Sequence, residues 1–333
     1  MSFDIKPRDR KLNLLEIIKR YTISVEGLGL ILCLHRVSLK KKDSLNSSLF
    51  VDIDHLNLVI DTFLKSGYSF ISFDAFVKEI EQKSNAKKII TITFDDGYKD
   101  NFDIALPYFE SKKIPFLIYL TTSFLDGTAQ LWWFALEAYL DSEGEKVDPA
   151  GNKYTGLSLN QKLHLFLSWR EQILKSTESK ENAFKQLFGN LDWISLNRQL
   201  ALSWEDTCVM QKSNLVSFGS HTINHPNLAE CSEEEVRKEL SLSKSYLEKK
   251  LETSISHFCY PYGSRNECGQ REFGIAREVG YKTATTTRFG NIFPEHKSLL
   301  FSLPRVSITS DFTIKEYRKN LLRRFMRGSI ISQ

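Results

Sequence analysis

Two carboxylates side by side, Asp95 and Asp96, follow the apolar run Ile89-Ile90-Thr91-Ile92 and precede Gly97. The run reads as a buried strand and the glycine as a turn, so both acids stand at the end of a core strand. A carboxylate there is costly to bury without a partner. A bound metal is one such partner and could use the two acids for different jobs, whereas capping of the next helix is the other reading. Further on, His221 and His225 lie four apart in Ser220-His221-Thr222-Ile223-Asn224-His225-Pro226. That spacing lets two imidazoles grip one ion, and Pro226 disfavours helix at His225, so a turn is expected. Two histidines and one carboxylate suit a divalent metal, Zn²⁺ first, with Co²⁺, Ni²⁺ or Fe²⁺ also possible. With Asp96 as the third ligand, Asp95 is left free as a base.

The elements that must position these residues alternate. Strands are expected at 28–34, 70–73, 89–94 and 116–120, with helices at 52–65, 74–82 and 101–112 between them. After a break the pattern resumes with strands at 215–219, 256–260 and 282–286, helices at 232–251 and 269–279, and a last extended piece at 303–306. This rhythm implies βαβ units, hence a parallel sheet or a barrel. In such folds the loops at the carboxyl ends of strands converge on one face. His35, Asp95-Asp96, His221/His225 and Pro261-Tyr262-Gly263 all fall just past predicted strands, so one shared pocket is expected.

Residues 127–210 break the rhythm and read as an inserted helical subdomain whose stripe Leu163, Phe166, Leu167, Trp169 and Ile173 is expected to be core. Trp132 and Trp133 are adjacent, so both cannot face inward along one helical line; one of them is expected to face a sugar ring. The chain ends in a basic helix, 312–333, with Tyr317, Leu321 and Phe325 on one face.

The 333 residues, 41% hydrophobic and 26% charged, describe a globular protein rather than a disordered one. Net charge is +4, but residues 1–20 carry +3 and residues 315–327 carry +5, leaving the body acidic. The body shows no basic stripe with interleaved aromatics, so nucleic acid is not an expected partner. Five scattered cysteines without a Cys-x-x-Cys pair argue against a disulfide framework and a cysteine zinc site. Lys11–Tyr21 reads as a short amphipathic helix, expected to pack on the body or to meet a membrane surface. Met1–Arg20 lacks the apolar core of a signal peptide, from which a cytoplasmic location, at the inner face of the membrane, is expected.

Thr93-Phe94-Asp95-Asp96-Gly97, Ser220-His221-Thr222-x-x-His225-Pro226 and Tyr260-Pro261-Tyr262-Gly263 together resemble the polysaccharide deacetylase family, the NodB-homology or carbohydrate esterase 4 group. The likeness runs from about Ile31 to Ile308, interrupted by the insertion. It implies an α/β fold, a distorted (β/α) barrel in one domain over 1–333, and removal of N-acetyl groups, sometimes other acyl groups, from amino sugars. By position, Asp95 resembles the catalytic base and Asp96, His221 and His225 the metal ligands. The metal would polarise the amide carbonyl and an attacking water, and the backbone N–H of Tyr262 would help hold the oxyanion. Tyr98, Pro261, Trp132 and Trp133 are expected at the substrate.

Two departures stand out. The family's arginine two positions before the motif proline is Cys259 here, with Arg305 the candidate replacement. The late Leu-x-His motif that supplies the general acid is missing, and His35 is expected to take that role, as in the biofilm-polymer deacetylases this chain is similar to. The expected partner is an N-acylated saccharide, lipid-linked if the basic ends contact a membrane. A formamide or other non-sugar amide, and a glycan-binding protein without catalysis, are the alternatives.

Overall fold

The structure is a computed structural model that describes residues 26–326 apart from 42, 83–87, 149–150, 176–187 and 190. The expected helix at Lys11–Tyr21 and residues 327–333 lie outside the described residues.

Seven strands, β1 (Gly29–Leu34), β2 (Ile89–Phe94), β3 (Phe116–Leu120), β4 (Val216–Ser220), β5 (His257–Cys259), β6 (Thr283–Phe289) and β7 (Leu303–Ser307), form the sheet. Each pairs in parallel with the next in chain order, and β1 pairs with both β7 and β2, so the sheet closes into a barrel. A short strand, Ser69–Phe70, adds to the outside of β2.

Closure explains the continuous apolar runs. A parallel strand covered on both faces has no polar side, and β1, β2 and β3 are buried at every residue. Alternate residues separate into two clusters, as period-2 side chains must. Leu30, Leu32, Ile90, Ile92, Phe116 and Ile118 belong to the main core, while Ile31, Leu117, Tyr119, Cys259 and Leu303 form a second cluster.

Helix α1 (Ile53–Lys65) starts where Asp52 accepts the His55 N–H. Helix α2 (Phe73–Glu81) starts earlier than the expected Asp74, because the Ser72 hydroxyl oxygen accepts the Ala75 N–H. This shortens the strand expected at 70–73 and frees Asp74 to meet His257 Nε2 at 3.1 Å. Phe73, Phe76 and Ile80 of α2 belong to the second cluster, with the Phe73 ring against Tyr119.

The insertion is helical but not wholly so. It holds α3 (Trp132–Asp141), α4 (Leu159–Lys175), α5 (Trp193–Leu200) and α6 (Trp204–Met210), and a two-stranded antiparallel ladder, Lys146–Val147 with Lys153–Tyr154. On α4, Phe166, Trp169 and Ile173 are buried, but Leu163 and Leu167 of the same expected stripe are exposed. The far end of the insertion is stitched to the barrel by Leu202 N–H donating to Gly97 O at 2.9 Å. Helix α7 (Glu233–Leu251) has the Ser232/Glu235 capping box that its sequence implies. Helix α8 (Ile314–Met326) packs through buried Tyr317 and Leu321, leaving Lys315, Arg318, Lys319 and Arg323 exposed.

Gly219 of β4 is required by packing. A Cβ there would lie 2.5 Å from the Tyr119 ring and 2.9 Å from His257 O. Gly219→Ala is therefore expected to lower stability by about 1–3 kcal/mol, read from a urea midpoint, since neither the ring nor the backbone has room to yield. A midpoint unchanged from wild type would contradict this packing.

Candidate metal centre and catalytic cavity

The pleat of β2 sends Thr91, Thr93 and then Asp95 to the same side, into the barrel's interior. Asp95 is 1% exposed and meets Arg305 of β7, also 1% exposed, in a two-pronged ion pair: Nη1 to Oδ1 at 2.7 Å and Nη2 to Oδ2 at 2.6 Å. The guanidinium is held in turn. Its Nε donates to Thr286 O at 2.9 Å, Nη1 to Thr93 Oγ1 at 3.1 Å and Nη2 to Cys259 Sγ at 3.1 Å. The small side chain of Cys259, where the family pattern has its arginine, thus leaves the room that Arg305 fills. Burial would raise the Asp95 carboxyl, but Arg305 outweighs it and lowers the carboxyl to about 2. Asp95 is ionised at neutral pH.

Asp96 breaks the alternation with a φ of 76°. Its Oδ1 then lies 3.2 Å from His221 Nε2 and 3.3 Å from His225 Nε2. His225 and Thr222 also have positive φ, 53° and 70°, and Thr222 Oγ1 accepts the His225 N–H at 3.0 Å. The histidines are set by a turn, as Pro226 implied. Strained backbone of this kind persists where the surroundings hold it and gathers at functional sites.

His221 Nδ1 lies 2.7 Å from Cys259 O. A carbonyl only accepts, so Nδ1 carries a proton and Nε2 is the nitrogen left to face Asp96 or an ion. Among the described residues Asp96 Oδ1 is buried without a donated hydrogen bond, although two imidazole nitrogens flank it. The ligand atoms of Asp96, His221 and His225 all lie within 4.8 Å of one another. A buried carboxylate oxygen flanked by two imidazole nitrogens fits a divalent cation. Two other groupings, Cys33 with His35 and Asp95, and Asp95 with His221 and Cys259, are as compact. Arg305 occupies both oxygens of Asp95, so neither of those offers a carboxylate ready for a cation.

These residues open into one cavity of about 300 Å³, lined also by His35, Tyr98, Trp132, Trp133, Phe166, Arg170 and Tyr262. His35 Nε2 stands 3.8 Å from Asp95 Oδ2, close but beyond a hydrogen bond. Tyr262 has a φ of 59°, its turn is closed by Gly263 N–H to Pro261 O at 2.6 Å, and its own N–H donates to no protein group among the described residues. Pro261 is buried and shapes that turn without lining the cavity. Tyr98 is fully buried; it touches the cavity but mainly braces the wall, its hydroxyl accepting the Trp133 indole N–H at 3.2 Å. Both tryptophans line the cavity. The reason is that they are the first two residues of α3, so the end of the helix, not one side, abuts the site. The Trp133 ring lies 5.7 Å from that of His225.

Phe166 and Leu167 of α4 reach the cavity with no sequence signal beyond their place in a helical stripe, and Arg170 reaches it with none. Cys33, whose Sγ is 3.6 Å from Asp95 Oδ2, was visible only as a strand residue.

A closed parallel barrel, with a buried two-histidine, one-carboxylate cluster beside an anchored carboxylate, defines a metal-dependent hydrolase. The sequence profile of the polysaccharide deacetylases matches residues 82–284, more than half of the chain. The protein belongs to the polysaccharide deacetylase family. Among curated proteins, none matches in sequence. Similar solved structures include the deacetylase PplD of Streptococcus pyogenes in complex with acetate, with TM-score 0.56 and 19% identity, covering 88% of this chain and 96% of that one. IcaB from Ammonifex degensii has TM-score 0.55 and 16% identity, covering 89% and 96%. A polysaccharide deacetylase from Bacillus cereus has TM-score 0.55 and 19% identity, covering 88% and 68%. At these identities the likeness is one of fold.

Arg305→Met would leave Asp95 buried without its counter-ion. We expect a loss of about 3–5 kcal/mol at pH 7 by urea denaturation. A loss below about 1 kcal/mol, the range of exposed pairs, would show that the pair does not carry this load.

Proposed function

We propose that the protein removes the acetyl group from an N-acetylated amino sugar of a polysaccharide or glycolipid precursor. The observation that carries this reading is the division of two adjacent acids between unlike partners, Asp95 with Arg305 and Asp96 with the two histidines. Asp96, His221 and His225 would hold the ion, Zn²⁺ in our reading, and when bound it supplies Lewis acidity to the amide carbonyl and to water.

The chain's own residues do the rest. Asp95, kept ionised and aimed by Arg305, takes the proton of the water that attacks the acetyl carbon. The Tyr262 backbone N–H donates to the oxygen on which charge develops. His35, whose Nε2 lies 3.8 Å from Asp95, gives a proton to the departing amine. Acetate and a free amino sugar leave. Supporting this reading, the S. pyogenes structure was solved with acetate. The placement of His35 ahead of β2 supports kinship with the biofilm-polymer branch.

Acetate release from a panel of acetylated and formylated amino sugars tests the reading. We expect Asp95→Asn to lose about 10²–10⁴-fold in kcat/KM while metal content by mass spectrometry stays at the wild-type level. Near wild-type turnover in the metal-loaded variant would remove Asp95 as base.

We further propose that the saccharide is lipid-linked, which the exposed Lys315, Arg318, Lys319 and Arg323 of α8 support. Flotation with anionic vesicles at low salt should carry the protein upward; no flotation would withdraw this part.

A further inference from the structure

The cavity's charged groups are committed to one another, with one exception. Asp95 is paired with Arg305, Asp96 lies among the histidines, and Arg36 beneath the wall is bound to Asp100 at 2.7 Å. Arg170 lines the same cavity and, among the described residues, makes no hydrogen bond or ion pair. Its guanidinium lies 5.8 Å from the centroid of the Tyr262 ring. Two acids are within electrostatic reach of Tyr262: Asp96, which lies among the histidines, and Glu267, whose Oε2 accepts the Ser264 N–H at 3.0 Å and which does not line the cavity.

A cation in this position contributes little to folding. Helix α4 is anchored by Phe166, Trp169 and Ile173, not by Arg170. The cavity that Arg170 lines is walled also by Trp132, Trp133 and Phe166, buried aromatic groups whose low polarity strengthens a charge interaction made there. The Tyr262 ring lies within reach of a cation–π contact and biases the guanidinium toward the cavity before an anion arrives. A planar guanidinium matches a carboxylate or a phosphate oxygen pair. The cavity is at the small end of the range for ligand sites, so an anion meeting Arg170 must be borne close to the acylated sugar.

We propose that Arg170 is a specificity-determining residue that binds an anionic group, phosphate or carboxylate, carried on the acylated sugar or on its immediate neighbour. The proposal deepens the amide-hydrolysis reading above and rests on it for the position of the sugar.

The test compares N-acetylglucosamine, N-acetylglucosamine 1-phosphate and N-acetylglucosaminuronic acid with the metal-loaded wild type and Arg170→Gln. The quantity read is the charged-to-neutral ratio, both for kcat/KM of acetate release and for affinity, followed through tryptophan fluorescence in the Asp95→Asn background. We expect the wild type to favour a charged sugar at least ten-fold, and Arg170→Gln to reduce that ratio at least ten-fold. The preferred probe identifies phosphate or carboxylate as the group read. A wild-type ratio near one overturns the proposal. A ratio unchanged in Arg170→Gln, with both sugars weakened alike, overturns it too, because that is what a residue that merely steadies Tyr262 would give. If no sugar releases acetate but the affinity ratio still falls with Arg170→Gln, the hydrolysis reading fails and the anion site stands.

Discussion

A carboxylate in the middle of a closed barrel is the constraint on which the rest of this structure depends. Taking an ion out of water costs several kcal/mol, and the cost is met here by a guanidinium that grips both oxygens of Asp95 while every other nitrogen of Arg305 finds an acceptor. The demands spread outward from that pair. Thr93 is a hydroxyl inside an apolar strand because Arg305 needs an acceptor there. Cys259 is small and soft because the guanidinium lies against it. Strand β7 must close on β1, or the arginine is not where the acid requires it.

The second constraint is that neighbours in a strand face opposite ways. Asp95 follows the pleat inward; Asp96 would be sent outward among the helices, and instead a left-handed backbone carries it to the histidines. Two residues of one type, one bond apart, thereby come to differ completely in surroundings. The same left-handed geometry recurs at Thr222, His225 and Tyr262, so the cavity floor is built of loops that the barrel holds in conformations they would not choose.

Much of this was legible in the sequence, for physical reasons. Continuous apolar runs can only be strands covered on both faces, and polar residues just past them had to meet at one end of the barrel. Ser232 and Glu235 marked a helix start by their own local bonding. What was not legible depends on contacts distant in the chain. Arg305 was a candidate, but nothing local says that it reaches Asp95. Trp132 and Trp133 were judged by helical faces, although a helix can also present its end. Helix α2 begins at Phe73, one residue before the expected 74, because the Ser72 hydroxyl caps it. Arg170 had no signal at all, because its setting is created by a helix lying across the cavity rather than by its own segment.

The distance in sequence between the paired ions has a consequence for how the protein is made. Arg305 follows Asp95 by 210 residues and comes after both histidines. A chain leaving the ribosome therefore already contains Asp96, His221 and His225 while Asp95 still lacks its counter-ion and the sheet cannot close between its first and last strands. The ion pair that settles Asp95 is thus among the last contacts this polypeptide can make, and it forms only when the final strand closes the barrel.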